Sequence, residues 1–127
     1  MKANMVGWFE IPVKDMERAK KFYETVFDIS IKVVEMGKIT MGWFPFADDP
    51  EARGSGGSLV KNDEFYKPSS NGVLIYFSST EITAELNKIE NSGGVILQQK
   101  TLISDEIGYM ALFLDSEGNR IALHSQS

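Results

Sequence analysis

Apolar and polar residues alternate from Trp8 to Val13, so that every second residue from Phe9 onward is apolar. A period of two predicts a strand with one buried face. From Met16 to Phe27 the apolar residues recur at steps of three and four, which predicts an amphipathic helix. Asp15 stands directly before it and is a suitable N-cap. The helix is expected to pack on the apolar face of this strand.

The same plan returns 66 residues later, where Leu74 to Ser78 predicts a strand and Glu81 to Ser92 a helix. Internal repetition of this kind defines the architecture. Further strands are predicted at residues 29–35, 38–44 and 58–60, and again at 95–102, 109–114 and 120–124. The fold class is therefore α+β, a single domain over residues 1–127 made of two βαβββ repeats, about 1–66 and 72–127. They are expected to form a cupped eight-stranded mixed sheet with helices on its outer faces.

Composition narrows the range of partners. The formal net charge is −5, and the 13 basic residues are dispersed among acidic ones, so we expect no nucleic-acid partner. No apolar run reaches the length of about 18 residues that a membrane helix needs, and the N-terminus resembles no export signal. The chain has no cysteine, which excludes disulfides and thiolate chemistry. We expect a cytoplasmic protein without a membrane partner.

Two segments carry a family resemblance. The run from Glu10 to Phe27, together with Asp115 to His124, resembles the vicinal oxygen chelate superfamily of glyoxalase I, extradiol dioxygenases and bleomycin resistance proteins. Within it, the chain is most similar to short bacterial glyoxalase-like proteins. The resemblance implies paired βαβββ modules, a small-molecule ligand and a homodimer.

Members of this superfamily usually hold a divalent metal ion through four positions. The resemblance puts three of them at Trp8, Leu74 and Ala122, none of which can coordinate a metal. The fourth falls within 57–59 by a looser alignment, where only Ser58 has a side-chain oxygen. Divalent ions need imidazole or carboxylate donors, so we expect neither a metal nor another cofactor. The likeness to lactoylglutathione lyases therefore leaves open whether the chain is an enzyme.

The inward faces of the strands supply the candidate ligand-binding residues, because side chains alternate along a strand. An aromatic lining with few polar groups is typical of small-molecule sites, although the same rings could simply fill a core or a dimer seam. The parity of the strand that contains Tyr109 and Phe113 stays open. The candidates are Trp8, Trp43, Leu74, Tyr76, Tyr109, Phe113, Arg120 and Ala122.

Two residues are candidates for catalysis. Glu10 on an inward face could act as a general base or anchor a cationic substrate, or it could form a structural salt bridge. His124 is the only histidine, and a structural role is the alternative for it.

Three functions stay open. The first is metal-free binding of an unidentified small molecule in an aromatic-lined groove. The second is a lyase or isomerase in which Glu10 moves a proton on a carbonyl compound, with or without a metal. The third is a non-catalytic structural module whose groove is filled.

Overall fold

Strands and helices follow one another in the predicted order in the computed structural model, which describes residues 3–127. Within these residues the first module contains β1 (Trp8–Pro12), α1 (Met16–Phe27), β2 (Lys32–Met36), β3 (Ile39–Trp43) and β4 (Gly56–Lys61). The second contains β5 (Ile75–Ser78), α2 (Thr83–Ile89), β6 (Val95–Ser104), β7 (Gly108–Leu114) and β8 (Arg120–Ser125), with a 3₁₀ turn at Glu90–Ser92. The predicted pair of βαβββ repeats is confirmed.

The eight strands of the described residues form two four-stranded mixed sheets. Their orders are β1-β4-β3-β2 and β5-β8-β7-β6. In each sheet the first and last strands of the module pair in parallel, and the other pairs are antiparallel. The duplicated topology leaves β1 and β5 as edge strands, each hydrogen-bonded on one side only.

Helix α1 forms where its sequence predicts it. The Asp15 side chain accepts a hydrogen bond from the Arg18 backbone N–H at 3.0 Å, which caps the first turn. The helix ends at Asp28, whose φ of 53° is left-handed. No helix among residues 3–127 is long and apolar enough to span a membrane. The buried stripe comprises Met16, Ala19, Phe22, Tyr23 and Val26.

The two modules share one hydrophobic core. The ring of Phe22 on α1 lies 6.1 Å from that of Phe113 on β7, so the first helix contacts the second sheet. Phe77 on β5 in turn lies 5.7 Å from Phe9 on β1 and 4.9 Å from Phe27 on α1, between ring centroids. Each helix was expected to cover its own sheet, but these contacts join both sheets to α1.

A buried hydrogen bond also joins the modules. The Tyr23 hydroxyl donates to Asp115 Oδ2 at 2.6 Å, and Asp115 is 3% exposed. Burial raises the pKa of Asp115, although hydrogen bonds from Tyr23 and Asn119 partly offset this. Burial beside this carboxyl also raises the pKa of Tyr23. Helix α1 is thereby fixed relative to the turn between β7 and β8.

Glu117, in the same turn, fixes the residues that precede α1. Its Oε1 accepts hydrogen bonds from the backbone N–H groups of Lys14 and Asp15, both at 2.9 Å. Its Oε2 accepts one from Arg18 Nε at 2.7 Å, and the Glu117 side chain is fully buried. This carboxylate therefore holds in place the backbone between the end of β1 and the start of α1.

Candidate functional site

A cavity of about 740 Å³ lies along the cleft between β1 and β5. The facing edges of these two strands border the cavity. Ile29, which lies between α1 and β2, also borders it. Of the residues predicted for the site, Trp8, Glu10, Leu74 and Tyr76 all line this cavity. Its aromatic walls are Trp8, Phe9, Phe27, Phe44, Tyr76 and Phe77.

Gly57 allows one of these walls to form. A Cβ atom at Gly57 would lie 2.2 Å from Cε2 of the Phe9 ring, far inside van der Waals contact. The ring therefore lies directly over the Gly57 backbone on the neighbouring strand β4. From there it reaches Phe44 with a centroid distance of 5.5 Å. Phe9 was assigned to the core from its period-two pattern, and its place in the cavity wall was not predicted.

Glu10 is the only charged side chain among the described residues that line the cavity. Its Oε1 accepts a hydrogen bond of 2.6 Å from the Tyr66 hydroxyl, and this bond raises the pKa of Tyr66. Tyr66 lies in a turn closed by Asn62, whose carbonyl accepts the Tyr66 backbone N–H at 3.0 Å. Nothing in the sequence pattern marks Tyr66, because a loop brings it to Glu10 across 56 residues of chain.

Two buried polar groups lie in register with Glu10. Ser58 on β4 pairs with Glu10 on one side and with Trp43 on β3 on the other, so the three side chains share one face of the sheet. Ser58 is fully buried. Among the described residues, neither Ser58 Oγ nor Trp43 Nε1 has a hydrogen-bond partner. Trp43 thus lies beside the predicted groove residues without lining the cavity.

The residues at the positions that the family resemblance assigns to metal ligands do not suit a divalent ion. Trp8 and Leu74 line the cavity without an oxygen or imidazole donor, and Ala122 is fully buried. Ser58 offers a single hydroxyl. No group of three or more His, Cys, Asp or Glu residues within 3–127 is arranged to hold a metal ion. A lone hydroxyl cannot retain Zn²⁺ or a similar ion.

On the second sheet, each of the predicted inward residues of β8 has a different environment. Ala122 pairs with Tyr76 on β5, so these two side chains lie on one face of the sheet. Arg120 lines a separate cavity described below. His124 Nε2 donates to the Ile107 carbonyl at 2.6 Å, which ties the ring to a neighbouring loop. His124 does not line the described cavity that contains Glu10, so the structure brings no dyad of the two together there.

Tyr109 and Phe113, the groove candidates whose parity the sequence left open, lie on the face of β7 that packs against the core. Phe113 is fully buried, contacts Phe22 and pairs with Ile121, which belongs to the core. Tyr109 has the same parity and packs against that core. The inward residues of β7 are instead Met110, Leu112 and Leu114, which pair with His124, Ala122 and Arg120. Since β7 is apolar on both faces, its sequence did not reveal which one faces the helices.

The comparisons with known proteins agree with this architecture. The family model described as Glyoxalase/Bleomycin resistance protein/Dioxygenase superfamily matches residues 5–123, nearly the whole chain. The chain belongs to this superfamily. A glyoxylase-like domain-containing protein from Didymella fabae is 25% identical over 119 residues, which cover 93% of this chain and 91% of that protein.

Solved structures show the same fold in proteins of different kinds. A mutant of glyoxalase I from Zea mays superposes with a TM-score of 0.74 and 21% identity over 94% of this chain, which spans only 45% of the maize protein. A glyoxalase/bleomycin resistance protein from Albidiferax ferrireducens gives 0.69 and 18% identity, covering 98% of this chain and all of that one. TnmS3, an antibiotic binding protein from a Streptomyces species, gives 0.69 and 20%, covering 100% and 99%. At these identities the likeness establishes the fold.

Proposed function

We propose that this protein binds a small, largely aromatic molecule in the cavity between β1 and β5, without a metal ion. The observation that carries the proposal is the cavity wall, which combines six aromatic residues with a single charged side chain among its described members. Its volume of about 740 Å³ lies within the range of about 300 to 1,000 Å³ typical of ligand sites. TnmS3, which has the same fold over its full length, is an antibiotic binding protein.

The metal-free part of the proposal follows from the donor set. The four positions that correspond to the family's metal ligands supply one hydroxyl oxygen, from Ser58. Ring stacking against Trp8 and Tyr76 would hold an aromatic ligand instead. Binding would then be sequestration or sensing, without turnover.

The proposal is tested by calorimetric titration with naphthamide, a neutral aromatic probe. Replacing Trp8→Ala removes a wall ring that is 42% exposed, so the fold should survive while affinity falls about tenfold. Phe65→Ala is the matched control, because this ring is 79% exposed and does not line the cavity. Absence of binding to the unaltered protein, or an equal loss in both variants, would overturn the proposal.

A second candidate is proton transfer by Glu10 next to a carbonyl group. The hydrogen bond from the Tyr66 hydroxyl favours it, since it holds the carboxylate in place at the cavity wall. Proton NMR of phenylacetone in deuterated buffer would then show faster loss of the protons beside its carbonyl with the protein than without. The Glu10→Gln variant should abolish this exchange. Equal rates with both proteins would exclude the reaction for this probe.

We further propose that two copies of the chain associate, as members of this family often do. The long edge strand β6 supports this, since Val95, Leu97 and Leu102 on it are each about half exposed. One chain has a mass of 14.2 kDa, so light scattering should give about twice that value. A single-chain mass over the micromolar range would exclude a stable dimer.

A further inference from the structure

A second cavity of about 240 Å³ continues the cleft beyond the aromatic cavity. It lies where the end of β1 faces the segment before β5 and the start of β8. Glu10, Val73 and Ile75 line both cavities, so the two are neighbours along one cleft and share a wall. The cationic side chains that line the second cavity are Lys67 and Arg120.

These two cations have no anionic partner in the described residues. No carboxylate oxygen lies within 4.0 Å of the charged nitrogens of Lys67 or Arg120 there. The remaining charged side chain of the wall is Glu10, whose carboxylate accepts the Tyr66 hydroxyl. Two cations and one carboxylate leave this cavity with one net positive charge.

Arg120 also carries a hydrogen-bond donor without an acceptor. Its Nε atom is shielded from solvent, and no acceptor lies within hydrogen-bond distance among residues 3–127. Arg18 shows the usual arrangement, with Nε and Nη2 both donating to Glu117 at 2.7 and 3.0 Å. Shielded donors on charged groups are costly to leave without an acceptor. A molecule in the cavity would therefore contact the Arg120 guanidinium through its terminal nitrogens, which are not shielded in this way.

We propose that the second cavity binds the carboxylate of an aromatic acid whose ring occupies the aromatic cavity. This inference rests on the proposed function and specifies the class of its ligand. A guanidinium matches a carboxylate with two parallel hydrogen bonds, and the Lys67 ammonium adds a second positive charge. A singly charged carboxylate balances the net charge of the cavity, whereas a doubly charged phosphate group would face Glu10 with an excess of negative charge.

The test compares naphthoate with naphthamide, which have the same shape and differ in charge, by calorimetric titration of the full chain. The unaltered protein should bind naphthoate about tenfold or more tightly than naphthamide, as expected for a charge-assisted pair of hydrogen bonds. Arg120→Met should remove most of the preference for naphthoate over naphthamide, with the remainder due to Lys67. Lys67→Met, at an exposed residue, should produce a smaller loss and remains informative if the Arg120 variant fails to fold.

Arg53→Met is the matched control, because it removes one positive charge and the Arg53 side chain lines neither cavity. If it weakens naphthoate as much as Arg120→Met does, the preference comes from overall charge and the inference fails. Equal binding of naphthoate and naphthamide would also overturn it while leaving the proposed function intact. Absence of binding by either probe would overturn both. Tighter binding of naphthyl phosphate than of naphthoate would replace the carboxylate with a phosphate and refute this assignment.

Discussion

At the residue scale, Gly57 controls the shape of the aromatic cavity. Gly57→Ala would place a methyl group 2.2 Å from the Phe9 ring and force that ring away from Phe44 and Phe77. Overpacking of this kind costs about 1 to 3 kcal/mol in the free energy of unfolding, measured with urea. Gly7→Ala is the control, since nothing lies within 4 Å of a Cβ atom there. Equal effects of the two substitutions would contradict this view of Gly57.

A second residue-scale prediction concerns the pair formed by Tyr66 and Glu10. The hydrogen bond to the Glu10 carboxylate raises the pKa of Tyr66, so Glu10→Gln should lower the pKa of this tyrosine toward its ordinary value. Alkaline absorbance titration follows the ionisation of all four tyrosines of the chain. Tyr66→Phe identifies the contribution of Tyr66 by difference. Identical titration curves before and after Glu10→Gln would show that the hydrogen bond is absent in solution.

At the element scale, Tyr23 links α1 to the turn after β7. Tyr23→Phe removes a hydroxyl that donates to buried Asp115 at 2.6 Å, which should lower the free energy of unfolding by about 1 to 2 kcal/mol. Tyr76→Phe provides the comparison, because that side chain is 51% exposed and lies outside the core. Urea denaturation measures both. An unchanged free energy of unfolding for Tyr23→Phe would show that this hydrogen bond does not stabilise the junction between the modules.

Through Glu117, the stability of the junction between α1 and the turn after β7 should depend on pH. Burial of its carboxylate opposes ionisation, but the bonds from Arg18 and from the backbone of Asp15 and Lys14 lower its pKa below the ordinary value of 4.5. Because the pKa of Glu117 is lowered in the native state, the stabilisation that this carboxylate provides is complete above about pH 4.5. It is lost as the pH falls through the native pKa. Glu117→Gln should therefore be less stable at pH 7 and lose less stability on acidification.

Urea titrations at neutral and acidic pH test this prediction. Glu17→Gln serves as the control, because Glu17 is an exposed carboxylate in the first turn of α1, next to the residues that Glu117 holds. If both variants lose stability on acidification as much as the unaltered chain does, Glu117 does not account for the pH dependence.

At the scale of the whole molecule, stability should not depend on divalent ions. Three of the four positions that the family resemblance assigns to metal ligands hold Trp8, Leu74 and Ala122, whose side chains cannot coordinate a metal ion. The melting temperature and naphthamide affinity should therefore be the same before and after treatment with EDTA, whereas a bound metal would stabilise the native state. A stoichiometric ion in mass spectrometry, or a lower melting temperature after EDTA, would refute metal-free binding.

The sequence predicted most of this architecture because its signals are local. Period-two strands, the helix capped by Asp15 and the 66-residue repeat all depend on neighbours in the chain. The sequence did not decide on which face of β7 Phe113 lies. This strand is apolar on both faces, and only the sheet register decides which face meets α1. Tyr66 and Lys67 escaped notice for another reason. Their roles depend on a loop returning to β1 and β8, which no local pattern encodes.

Phe77 has a consequence for the history of the repeat. It belongs to the second module, but its ring fills a space among Phe27, Phe44 and Tyr23 of the first. Either half alone would leave this aromatic cluster exposed to water or incomplete. Each half therefore needs the other to complete its core, and we expect that neither half folds alone.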